Sequence, residues 1–273
     1  MTNLIINSFV ESERNKFEIV HNNMFAFSFS QVTRYYDFLL IVRKRYEESS
    51  KLFIANFKEF QDRINKIPGS HPMTPKQIRI QSAESLITTK LHLEIESFYI
   101  FAKIMLDQLS RAIELYFGQA RNLTLDSHDD FCKNISRYTL KKGIIIRKKL
   151  IDSAEKLKSD ISDFRDKEIA HNKKPRTVRG TMFSATGETS MMLSNIYPKL
   201  SDKQVESKHI NELLSSIDNY IDEIIVFLQT NNSKTNLLLV NKQLGTILVT
   251  DVQNFQTRKN KLSDKLMFGK NIL

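Results

Sequence analysis

Apolar positions recur every three or four residues along most of the chain, and that spacing predicts amphipathic helices. The first long run carries Tyr35, Phe38, Leu39, Val42, Tyr46, Leu52, Phe53, Phe57, Phe60 and Ile64. Ser30 offers a cap for a helix starting at Gln31, and Pro68-Gly69 with His71-Pro72 stops it near Ile67. A second start follows at once. Thr74 can cap, and Pro75 fills the first helical position, where its fixed φ suits the helix and its missing N–H is not needed. Apolar residues then continue from Ile78 to Phe117 with no Gly or Pro between them, and Gly118 supplies a stop. One helix there would be about 60 Å long at about 1.5 Å per residue. Two helices would meet at Ile87-Thr88-Thr89, where the pattern is softest.

Residues 119–143 read as a polar connection holding a short helix from Asp129 to Arg137. A third long helix is expected from Ile144 to His171. A fourth spans 207–230, with Ile210, Leu213, Leu214, Ile217, Ile221, Ile224, Ile225 and Leu228 on its stripe. Between these two lies 172–206, a segment with Pro175, Gly180, Gly187 and Pro198 and no helical rhythm. A connection of that length is uncommon and often functional. Near the C-terminal end, Leu237–Val240 and Thr246–Thr250 are β-rich runs around Asn241–Gly245, the pattern of a hairpin. At the other end, Met24-Phe25-Ala26-Phe27-Ser28-Phe29 alternates in the manner of an extended segment. The expected fold is mainly α: an up-down helical bundle with one very long or kinked helix and a small C-terminal β hairpin. Its parts are an extended arm at 1–30, a helical domain at 31–232, and a hairpin with a basic tail at 233–273.

Composition narrows the class. Seven Gly and five Pro in 273 residues are too few for a turn-rich β fold. The lone Cys132 excludes an internal disulfide and a multi-cysteine zinc site. No basic leader with a cleavage site opens the chain, and no apolar window reaches the roughly 18 residues of a membrane span. These readings favour the cytoplasm and argue against a membrane partner. No cofactor motif is evident, and His92 with Glu96 would supply only half of a metal site.

Charge changes the picture most. The net charge is +10, and residues 133–179 hold fifteen cations against six anions, a local net of +9. Such an excess points to a polyanionic partner, nucleic acid foremost, although a solvated basic helix face would have the same composition.

Within that window stands Asp163-Phe164-Arg165-Asp166-Lys167-Glu168-Ile169-Ala170-His171-Asn172. An arginine followed by a polar residue, and a histidine after a short spacer ending in small or apolar residues, resembles the signature of the HEPN superfamily. Arg14 with His21 and Arg121 with His128 have a similar spacing. Only Arg165 to His171 joins the spacing to a strong amphipathic helix and basic surroundings. The resemblance is close over about ten residues and loose over the helical pattern from 74 to 230.

The resemblance implies a homodimeric, metal-independent endoribonuclease, of the toxin or phage-defence kind that can carry an antitoxin partner. His171 would act as acid or base, Arg165 would hold the phosphate, and Asp166 would orient one of them. Lys173, Lys174, Arg176 and Arg179 follow directly and could bind flanking phosphates of RNA. Helix geometry offers a second reading of the same residues. Leu150, Leu157, Phe164 and His171 fall at seven-residue steps, which puts His171 on the apolar stripe and Arg165 about 120° around the axis. In that case His171 is a core residue, and the chain is a non-catalytic helical module that binds nucleic acid or protein.

Overall fold

A computed structural model describes residues 2–17, 23–64, 74–170, 179–185, 188–195, 209–235, 238–241 and 246–249. The protein is mainly helical. Its helices are α1 (Thr2–Glu13), α2 (Met24–Ile64), α3 (Pro75–Phe117), α4 (His128–Lys142), α5 (Lys148–Leu157) and α6 (Ile210–Thr230). Two π-helical runs, Lys158–Asp163 and Arg165–Ala170, continue from α5. The chain divides into two compact units, one of residues 1–33, 106–154 and 220–273, the other of 34–105 and 155–219.

The first unit overturns the expectation of an extended arm at 1–30. Residues 2–13 are helical, and α2 begins at Met24 rather than Gln31. Asn23, not Ser30, is the cap: its Oδ1 accepts from the Ala26 N–H at 2.9 Å. The Phe-rich stretch looks alternating, but Phe25 and Phe29 are one helical turn apart and both are buried, while Phe27 faces outward. The hydroxyl of Ser28 donates to the Phe25 carbonyl and so is satisfied inside the helix. Phe9, Phe17, Phe25, Phe29 and Tyr116 then form an aromatic cluster, with Phe17 stacked on Phe25 at 4.4 Å and Phe25 edge-on to Phe29 at 5.1 Å. Packing among these rings selects the helix over the strand, since propensity yields to burial of this size.

In the same unit, α4 is longer than the sequence suggested and is capped at both ends. The Ser127 hydroxyl accepts from the Asp130 N–H at 3.1 Å. Gly143 ends the helix at φ +62°, a left-handed conformation that Gly adopts without strain. Residues 144–147, expected to be helical, are instead a connection fixed by Asn231. Its side chain accepts from the Ile145 N–H and donates to the Ile145 and Phe227 carbonyls, at 2.8, 2.8 and 2.9 Å. The short strands β3 (Leu238–Asn241) and β4 (Thr246–Val249) lie antiparallel with Leu238 opposite Val249.

The second unit is built on α2 from Arg34 onward, α3 as far as Met105, the π-helical runs and the first half of α6. Leu39, Val42, Leu91, Ile95, Phe98, Tyr99, Ile161, Phe164, Leu213 and Ile217 are buried in it. Polar contacts fasten its helices: Tyr36 donates to Asp218 at 2.6 Å, and Arg45 pairs with the buried Glu94 at 2.9 Å. α3 begins at Pro75 as expected, and the Thr74 carbonyl accepts the first helical bond, from the Ile78 N–H. The helix runs unbroken through Ile87-Thr88-Thr89, where the Thr89 hydroxyl donates back to Ser85. In the segment read as irregular, β1 (Arg179–Ala185) and β2 (Glu188–Asn195) pair antiparallel, Met182 opposite Met191.

Candidate functional site

Arg165 and Asp166 lie on the second π-helical run. A π-helix bonds each N–H to the carbonyl five residues back, which makes a wider turn than an α-helix; long runs are rare and cluster at functional positions. The wider turn shows in the burial. Asp160, Ile161 and Ser162 are three consecutive buried residues, which a narrow α-helical stripe would not produce. Leu150, Leu157 and Phe164 are buried as their seven-residue spacing anticipated, and Phe164 packs on Tyr99 with ring centres 4.4 Å apart. Two of these buried groups are polar. Asp160 is engaged, whereas the Ser162 hydroxyl has no hydrogen-bond partner among the described residues.

Arg165 is held by its neighbour. Its Nε donates to Asp166 Oδ1 at 2.8 Å, and its Nη2 closes on the same oxygen. The two side chains remain 34% and 47% exposed, so the pair is set at the surface rather than sealed in the core. Guanidinium carries five N–H donors in a fixed fork. The remaining donors of Arg165 meet no protein acceptor among the described residues. A fork anchored on one edge and open on the other suits an incoming oxyanion, because little side-chain freedom is left to lose.

Of the residues singled out from the sequence, the structure brings together Arg165 and Asp166. His171, Lys173, Lys174 and Arg176 lie outside the described residues. Arg179 starts β1, and its side chain is likewise outside them. The other two arginine–histidine spacings are informative. His128 is fully buried, stacked near Phe131 and edge-on to Tyr220 at 5.6 Å, while Arg121 is exposed. A sealed imidazole and an outward guanidinium cannot share a phosphate, so that match carries no site. Arg14 pairs with Glu11 at 3.3 Å, and His21 lies outside the described residues.

Reading motifs missed a second feature, the solvent face of α4. Lys133, Arg137 and Lys141 are exposed at four-residue steps, and Arg147 and Lys148 follow on the connection to α5. The +9 window contained all five, but the common face of Lys133, Arg137 and Lys141 emerges only with the helix bounds. Buried carboxyls elsewhere are structural in setting. Burial raises the pKa of Glu114, which accepts from the Leu125 N–H at 3.0 Å, and burial likewise raises that of Glu94 against the opposing pull of Arg45.

Among the described residues, no helix is long and apolar enough to cross a membrane. No family model, no curated protein and no solved structure matches the chain.

Proposed function

We propose that the chain is an RNA-cleaving helical protein of the HEPN kind, acting without a metal through Arg165, Asp166 and His171, as an up-down bundle that works as a homodimer. The observation that supports it is the Arg165–Asp166 pair: a guanidinium anchored by one carboxylate, open on its far edge, at the surface of a π-helical run. The ribose 2′-OH attacks the adjacent phosphorus and loses its proton to a base. The 5′-oxygen leaves with a proton, and the ends are a 2′,3′-cyclic phosphate and a 5′-OH. An imidazole titrates near neutral pH and suits either proton transfer, the role proposed for His171. Arg165 would stabilise the charge developing at phosphorus, with Asp166 fixing its direction. Lys173, Lys174, Arg176 and Arg179 would hold flanking phosphates. A role in toxicity or phage defence, with an antitoxin partner, belongs to the same proposal.

The test is incubation of RNA with the parent and with Arg165→Ala in the presence of a chelator, followed by end-group analysis. Loss of one such donor typically costs about 10²–10³ in rate. Equal cleavage by the variant, or a requirement of the parent for a divalent metal, ends the proposal.

A second reading has its own observation. The exposed cations Lys133, Arg137 and Lys141 repeat at four-residue steps along α4, which favours a binding module. It predicts salt-sensitive RNA binding, no cleavage, and no effect of His171→Ala.

A further inference from the structure

Lys133, Arg137 and Lys141 stand along the solvent face of α4. Steps of four residues drift by about 40° each, so the three stay on one side, about 6 Å apart along the axis. Other segments add to them. The Lys141 ammonium donates to the Arg121 carbonyl at 2.9 Å, which brings the exposed Arg121 alongside. Lys234, from the turn after α6, has its Nζ 3.8 Å from the place a Cβ on Gly143 would occupy. Arg147 and Lys148 follow Gly143 along the chain and are exposed as well. Arg121 and Lys234, distant in sequence from α4, thus come close to its C-terminal end.

None of Lys133, Arg137, Arg147 and Lys148 forms an ion pair among the described residues. Asp130, in the first turn of α4, is occupied at the N-cap by Ser127. Lys149, by contrast, does pair, with Glu223 at 2.7 Å. Stability does not account for the row. Helix dipoles favour cations only within the last turn, and Lys133 and Arg137 lie before it. Arg147 and Lys148 stand at the N-terminal end of α5, where the dipole disfavours positive charge and no acid occupies the first turn.

We propose that this face binds the sugar–phosphate backbone of a nucleic-acid strand, one phosphate against each of Lys133, Arg137 and Lys141. The choice of RNA for that strand rests on the RNA-cleaving reading. A single-sign row repeating along a line matches a polymer whose charge repeats along a line. Protein partners more often meet surfaces of mixed sign. Leu140 and Ile145, 84% and 73% exposed, flank the row, and a protein partner would have to cover them.

The experiment measures binding of a short labelled oligouridylate, and of DNA of the same length, to the full chain across a salt series. It is done in an Arg165→Ala background so that cleavage does not interfere. Lys133→Gln, Arg137→Gln and Lys141→Gln together should weaken RNA binding at least about tenfold at low salt. The slope of log affinity against log salt should fall by about 2, at roughly 0.7 per contact on a single strand. All three sites are exposed, so unchanged thermal unfolding is expected and serves as the fold control. If the parent never cleaves RNA but the triple variant loses this binding, the surface stands while the nuclease reading fails. An equal loss on DNA supports a backbone contact and leaves RNA selection to another part of the chain. Binding unaffected by the triple variant overturns the proposal whether or not RNA is cut. So does binding abolished by Leu140→Ser with Ile145→Ser and untouched by the triple variant, which marks a protein-docking face.

Discussion

Two neighbouring stretches share the basic window and treat their charge in opposite ways. Along α4 the backbone is regular, both ends are capped by side chain or glycine, and Lys133 and Arg137 stand exposed without an acid. Along the π-helical runs the backbone is widened, polar Asp160 and Ser162 are drawn into the core, and Arg165 is tied to Asp166. The first arrangement presents charge to whatever long anion arrives. The second fixes the direction of one guanidinium. A row of unpaired cations suits affinity, and an anchored fork suits positioning. Net charge alone, +9 across the window, does not distinguish them.

Core truncations should break that comparison most forcefully. Phe131 of α4 and Phe164 between the π-helical runs are both fully buried. Each change to Ala is expected to cost about 3–5 kcal/mol, read from denaturant unfolding. A far smaller cost at Phe164 would mean that the widened stretch is loosely packed and that its polar burial is incidental.

One chemical change at two serines should then move in opposite directions. Ser127→Ala removes the α4 cap and is expected to destabilise by about 1 kcal/mol. Ser162→Ala removes a buried hydroxyl that has no partner among the described residues, and is expected to be neutral or to stabilise by up to about 1 kcal/mol. Equal losses in the two variants would show that Ser162 is bonded in solution and that the widened turn is fully satisfied.

The smallest effect concerns pH. Burial raises the pKa of Glu114, so the folded state holds its proton above the range where the unfolded chain releases it. The native state then binds more protons, and this residue's contribution to stability falls as pH rises from the unfolded carboxyl value through the raised one. Glu114→Gln keeps an acceptor for the Leu125 N–H and removes the charge. Its thermal unfolding should exceed the parent's at neutral pH, and the gain should shrink as pH falls toward the ordinary carboxylate range. A gain that grows on acidification reverses the sign and refutes the assignment.

Much of this architecture was legible from local chemistry. Thr74, Pro75 and Gly118 bound α3 because caps, a preset φ and a left-handed stop act within a few residues. The stripe Leu150, Leu157 and Phe164 was likewise readable, since burial follows period. The same rules failed at Met24–Phe29, where local alternation suggested a strand. There the aromatic cluster with Tyr116, some ninety residues away in sequence, decides for helix. They failed again after Leu157, because a π turn inserts its extra residue to fit the core, and no residue type demands it.

The candidate site divides along the same line. The amino-acid sequence by itself determined which residues are proposed to carry the chemistry: Arg165 beside Asp166, His171 after them, and an excess of cations around both. The structure showed that Asp166 anchors its neighbour Arg165, and only tertiary placement decided that His128 is sealed from solvent while Arg121 is not, and that Arg121 and Lys234 come close to the end of α4. The reason is physical. Residue type and spacing set what a group can donate, accept or repel within a turn or two of its own helix. Which groups are desolvated, paired or left open depends on segments brought together from far along the chain, and it is that placement which turns charge into a site.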